Sequence, residues 1–174
     1  EAARAESLAL ALMVDVNTSA HETPFTVSVD LIHGTTTGVS AADRAATVRA
    51  LSESERPELQ AMGQRLGTAL PAWIESTEWL LANAKSGISG VLTAAVPYLH
   101  MATSVCGAWM MGKAALAAAA RLQEQGQGDA QFYRNKIATA GFYADQILPQ
   151  VEAWAATVMA GDAAIEGIGT ELFD

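Results

Sequence analysis

Between Ile88 and Gly112 the chain carries no Lys, Arg, Asp or Glu. An uncharged run of that length folds as a membrane span or as a helix that neighbours bury on most sides. The run extends through AALAAAA (Ala114–Ala120) to Leu122 and is rich in Ala, Gly, Ser and Thr, with a Pro, a His and a Tyr. This is a poor surface for lipid and a good one for closely approaching helices. The sequence therefore predicts the central helix of a bundle over Ile88–Leu122, with no integral membrane span.

The 174 residues suffice for one domain with a substantial core. The net charge of −9 argues against nucleic acid and anionic membrane as partners, because Lys and Arg supply those affinities. The single cysteine, Cys106, lies inside the apolar run. It has the setting of a small core residue, no disulfide framework exists, and a cytoplasmic location is expected. The chain opens without Met on EAARAESLALALMV, which already reads as helix. A C-terminal piece of a longer protein is the expectation.

Residues Glu1–Val16 are predicted helical. From Asn17 to Ser40 the residues turn to Thr, Ser, Gly and β-branched types. Phe25, Val27, Val29 and Leu31 alternate as in a strand, but Thr23-Pro24 also starts a helix and Gly34 stops one. A lone strand is unstable, so a loop with a short helix is expected. His21 and His33 fall here without the spacing of a metal site. Ser40–Leu51 is a short helix opened by Ser40 and Asp43, and Ser52 with Glu55 repeats the capping pattern before Pro57.

A long helix is predicted from Pro57 to Ala84. Its seam is Leu59, Met62, Leu66, Leu70, Trp73, Thr77 and Leu80, at steps of three and four, with Pro71 inside it. Lys85-Ser86-Gly87 makes a short, antiparallel connection to the central helix. Pro97 lies within that helix and His100 three residues on, where a hydrogen-bonded core or groove histidine is expected. Lys113 reaches solvent along its stem or holds an acidic partner. After the polar turn Gln123–Gly128, Asp129 caps the last long helix, with the seam Ile137, Ala140, Ala144, Ile147, Val151, Trp154 and Val158. Pro149 interrupts it and Gly161 ends it.

The fold class is thus all-α: an antiparallel bundle of three long Pro-kinked helices plus shorter N-terminal helices. Residues 1–51 form the N-terminal part and 52–174 the C-terminal bundle. No phosphate-binding glycine loop, paired Cys ligands, His-Glu-x-x-His motif or nucleophile elbow occurs. Glu78 and Asp145 have ordinary surface readings. No catalytic, cofactor-binding or metal residue is assigned in this chain.

Two stretches carry more than periodicity: AAVPYLHMATSVCGAWMMGKAALAA (Ala94–Ala118) and RNKIATAGFYADQILPQVEAW (Arg134–Trp154). With STEWLLANA (Ser76–Ala84), they resemble the extra C-terminal helical domain of long prokaryotic acyl-CoA dehydrogenases over residues 55–160. The residues that carry the likeness are Trp79-Leu80, Tyr98-Leu99, Gly107 with Trp109, Lys136, Ala138, Ala140, Phe142-Tyr143 and Leu148-Pro149. Asn17–Ser40 fits nothing in this pattern and reads as an insertion.

The resemblance implies a flavoenzyme of fatty acid metabolism that uses FAD to oxidise an acyl-CoA thioester to its enoyl form. In that family a glutamate base takes the α-proton and the flavin accepts a hydride from the β-carbon. That glutamate lies upstream of this domain. The implied partners are the upstream dehydrogenase core, the acyl-CoA substrate and a second subunit in a homodimer. The domain's implied role is to cover the core or to help subunits associate. Two other readings stand beside it: a free-standing helical interaction module, and a bundle holding an apolar ligand beside Pro97, Tyr98 and His100.

Overall fold

In a computed structural model the described residues are 41–84, 89–124 and 130–163. The expectations for Glu1–Ser40, His21 and His33 among them, fall outside these residues, as do those for Lys85–Gly87 and Asp129. The chain divides into two compact units, Glu1–Arg44 and Ala45–Asp174, and the second is described here. The helices among the described residues are α1 (Ala41–Ser52), α2 (Pro57–Asn83), α3 (Ser89–Gln123), α4 (Ala130–Gln146) and α5 (Gln150–Ala160). No strand occurs among the described residues. The fold is the expected all-α antiparallel bundle.

Side-chain meetings fix the directions. Tyr98 of α3 meets Thr77 of α2. Along the other side of α3, a Cβ on Gly107 would strike Tyr143, and one on Gly90 would touch Asp162, while His100 stacks on Trp154. The α4–α5 segment therefore runs antiparallel to α3. It runs parallel to α2, since Arg65 pairs with Asp145 and Trp79 lies over Gly161.

The seam of α2 is observed nearly as read. Leu59, Met62, Leu66, Trp73, Thr77 and Leu80 are buried, with Ala69 inside rather than Leu70, and the helix continues through Pro71. Arg56 is the N-cap of α2, with Pro57 in the first turn. The Ser52–Glu55 capping pattern is not used, because α1 continues through Ser52. Instead the Arg56 amide donates to the Ser54 hydroxyl at 3.2 Å.

α1 packs on glycines. A Cβ on Gly63 would lie 2.8 Å from the Ser52 amide nitrogen, and one on Gly112 would lie 2.8 Å from Leu51 Cδ1. Leu51 is fully buried, and the Trp109 indole nitrogen donates to the Thr47 hydroxyl at 2.9 Å. Across the core, the Thr77 hydroxyl donates to the Trp73 carbonyl at 2.8 Å. Its one proton is thereby spent, so Tyr98 is the donor in their 2.9 Å contact.

The last long seam is divided between α4 and α5. Pro149 has no amide proton to give and its ring would crowd the carbonyl four residues back. The Leu148 amide instead reaches the Tyr143 carbonyl, five residues back, at 3.1 Å, and Val151 reaches Leu148 at 3.1 Å. Leu148 still turns inward, which is why the apolar periodicity runs across the break. Gly161 closes α5 at φ +60, a conformation that suits glycine, with Trp79 Cη2 2.9 Å from where a Cβ would sit.

Candidate functional site

The most distinctive surface belongs to α3, and here the structure corrects the expectation of burial on most sides. Leu92, Val96, Leu99 and Met110 are 52%, 62%, 57% and 56% exposed. On the opposite side of the same helix, Ala94, Tyr98, Met101, Val105, Trp109 and Ala115 are buried. The helix is apolar on both faces, and the bundle covers only one. By length and composition α3 passes as a membrane span, yet half its circumference is the centre of this core.

The uncovered face has a register. Leu92, Val96, Leu99, Thr103, Cys106, Met110, Lys113 and Ala117 follow at alternating steps of four and three, the heptad spacing of a helix–helix seam. At a rise of 1.5 Å per residue the seam is about 37 Å long. Its polar member is quiet: the Thr103 hydroxyl donates to its own helix, with the Leu99 carbonyl at 2.9 Å and that of His100 at 3.0 Å. Lys113 is exposed, as its solvent-reaching reading expects, and its Nζ lies 4.7 Å from the centre of the Trp109 ring.

His100 is exposed rather than set in the core. Its ring stacks on Trp154 at 4.9 Å between centroids and 23° between planes. Asp145 forms a surface ion pair with Arg65 at 2.9 Å, and Glu78 is exposed. The Tyr143 hydroxyl titrates above the usual tyrosine range, because burial disfavours the phenolate and the neighbouring Cys106 adds to the effect.

A separate groove of about 520 Å³ opens where the start of α2, the end of α3 and α4 converge. It is lined by Arg56, Glu58, Leu122, Arg134, Ile137 and Gly141. Arg56 is held by Glu58 at 3.1 Å. This groove does not include Pro97, Tyr98 or His100, so it is not the apolar-ligand site considered from the sequence.

Neither surface fits a flavin. The hydrogen-bonding groups of the α3 seam are Thr103, spent on its own backbone, and Lys113 over Trp109, and the groove is open to solvent with Arg56 held by Glu58. No group of three or more His, Cys, Asp or Glu suited to a metal occurs among the described residues. What the arrangement of the described residues offers is a surface for packing.

Several residues of the sequence resemblance make contacts within the bundle, while Leu99 and Phe142 are exposed. Gly107 admits Tyr143, Trp109 reaches Thr47, Tyr98 bonds Thr77, and Trp79 closes over Gly161. Comparison with known proteins agrees. The model of the family described as "Acetyl-CoA dehydrogenase C-terminal like" matches residues 40–168. The 3-methylmercaptopropionyl-CoA dehydrogenase of Ruegeria pomeroyi is 36% identical over 94 residues, 54% of this chain and 16% of that protein.

A second likeness overlaps the first. The model for 3,4-dihydroxy-2-butanone 4-phosphate synthase matches residues 1–65. The synthase of Agrobacterium fabrum is 64% identical over 56 residues, 32% of this chain and 26% of that protein. The riboflavin biosynthesis protein RibBA of Cytophaga hutchinsonii is 59% identical over 58 residues, 32% of this chain and 14% of that protein. Asn17–Ser40 is therefore not an insertion into the dehydrogenase pattern. It lies within another family's pattern, which continues into α1 and the start of α2. The chain matches 14% to 26% of the length of the synthase and dehydrogenase relatives named here. No solved structure matches.

Proposed function

Because the chain belongs to the acetyl-CoA dehydrogenase C-terminal-like family, we propose that its bundle is the C-terminal helical domain of an FAD-dependent acyl-CoA dehydrogenase, with a part in packing and subunit association. The observation that carries this reading is the two-sided apolarity of α3. One face makes the bundle core, and the other is a seam in want of a partner. Burial of apolar area of this kind drives domain docking and subunit association.

In the proposed enzyme the flavin, the acyl-CoA and the base that removes the α-proton belong to the dehydrogenase core. FAD supplies the hydride acceptor there. This chain's own residues hold shape. Gly107 and Tyr143 set the approach of α3 and α4, and Trp109 with Thr47 ties down α1. A thioester substrate is proposed on the strength of the Ruegeria relative, whose name specifies 3-methylmercaptopropionyl-CoA. A cytoplasmic setting belongs to the proposal, supported by a lone cysteine that needs no oxidising compartment.

The higher identity to the synthases over 56 residues favours a second reading for the N-terminal part: it derives from a 3,4-dihydroxy-2-butanone 4-phosphate synthase joined to the helical domain. A proteolytic peptide of the natural protein that crosses residues 40–65 places both patterns on one polypeptide. The primary reading is tested by the flavin content and acyl-CoA oxidation of the intact natural protein. A flavin-free protein inert toward acyl-CoA thioesters overturns it.

A further inference from the structure

We propose that the outward face of α3 pairs with the same face of a second copy of the chain, antiparallel, about a two-fold axis between Thr103 and Cys106. The proposal deepens the association role above, on which it rests.

The register carries it. An antiparallel pair centred there sets Thr103 against the second copy's Cys106, Leu99 against Met110, Leu92 against Ala117, and Val96 against Lys113. Each layer joins the two classes of seam position, as antiparallel heptad pairing requires. The layers also match in size. The small Thr103 and Cys106 sit at the centre, where the helices must come closest, and long Leu92 faces short Ala117. Because the operation is two-fold, each layer occurs twice and one seam satisfies itself.

Charge selects the direction. The only ionic side chain in the seam is Lys113. Parallel pairing would set it against its own copy, a like-charge contact in an apolar seam. Antiparallel pairing moves the two lysines to opposite ends, where each stem covers Val96 while its ammonium remains over Trp109. No acidic residue lies between Ser89 and Gln123, so the acidic chain keeps its repulsive charges off this face. Thr103 enters the seam with its hydroxyl already bonded, so pairing strands no donor.

The test is the mass in solution of the full chain, by light scattering or sedimentation. A dimer of the 18.2 kDa chain is expected. Leu99→Glu should weaken it at least about tenfold, since it places a carboxylate in an apolar layer. Helical circular dichroism should be unchanged, because Leu99 lies outside the core. Phe142→Glu, exposed on α4, should leave the dimer intact.

Cross-linking sets the direction. In a Cys106→Ser background, the double variant Leu99→Cys/Met110→Cys should oxidise to a covalent dimer. Within one chain those positions are about 16 Å apart along the helix, too far to bridge. Neither single variant should cross-link. Single variants that cross-link alone would mean parallel pairing and overturn the proposal. So would a monomeric chain, a dimer indifferent to Leu99→Glu, or a monomer whose α3 face instead binds neutral phospholipid vesicles. The flavin content of the intact protein stands apart from all of these, so failure of the seam and failure of the dehydrogenase reading are separately visible.

Discussion

Replacing Gly107 with alanine probes most sharply how α3 meets α4. In an unopposed helix interior, Gly→Ala stabilises by about 1 kcal/mol through backbone entropy. Here the new Cβ would sit 2.7 Å from Tyr143 Cζ, closer still to its hydroxyl oxygen, and 3.4 Å from Cε1. The ring must give way while wedged between helices, and overpacking of this kind costs about 1–3 kcal/mol. The two effects oppose, so Gly107→Ala alone should be neutral to destabilising by up to about 2 kcal/mol. In a Tyr143→Leu background the obstruction is gone, and the same substitution should stabilise by about 1 kcal/mol. The double-mutant cycle should therefore show a coupling of at least about 1 kcal/mol. Urea unfolding of the four chains, followed by circular dichroism, measures it. Additive effects, with alanine stabilising in both backgrounds, would refute the contact and the packing of α4 on α3 derived from it.

Trp109→Ala removes a buried indole, its hydrogen bond to Thr47 and the seat of Lys113. It should cost about 3–5 kcal/mol, and thermal melting reads this as a large fall in Tm. A variant that kept its Tm while the intact enzyme lost turnover would contradict a packing role. Ser76 is fully buried and its hydroxyl has no hydrogen-bond partner among the described residues, so Ser76→Ala should be neutral or stabilising by up to about 1 kcal/mol, measured as the urea midpoint. The fold keeps the Tyr143 proton more tightly than the unfolded chain does. Its contribution is therefore complete below the unfolded tyrosine pKa near about 10 and is lost as pH rises through the higher folded value. Tyr143→Phe should abolish that part of the alkaline loss when urea midpoints at about pH 9 and about pH 11 are compared. Asp145→Asn breaks an ion pair whose members are about half exposed and should change stability by less than about 1 kcal/mol in the same assay.

Much of the bundle was legible because helix ends and inward faces leave local marks. Pro57 starts α2, Gly161 ends α5, and the seam from Leu59 to Leu80 points inward with Ala69 exchanged for Leu70. The division at Ile147–Pro149 was blurred because Leu148 remains buried and the periodicity runs on through the break. The open side of α3 was hidden for a different reason. A helix apolar all round shows no preferred face, and periodicity does not say how many of its sides have neighbours within the chain. His100 was misplaced on the same account, since an apolar surround in sequence is not a buried one in space; what meets it is Trp154, 54 residues on. The synthase likeness is not visible in the alternation of Phe25, Val27, Val29 and Leu31, which taken alone describes only a lone strand. The signal lies in the order of residues over positions 1–65 as a whole.

The proposed function makes this bundle the tail of a flavin-bearing dehydrogenase. The most direct test is the denatured intact mass of the protein from its natural source, taken with the absorbance of the native protein. The proposed function requires a mass several times 18.2 kDa and flavin absorbance that travels with the protein and is released on unfolding. A mass near that of this chain, with no flavin, would contradict it.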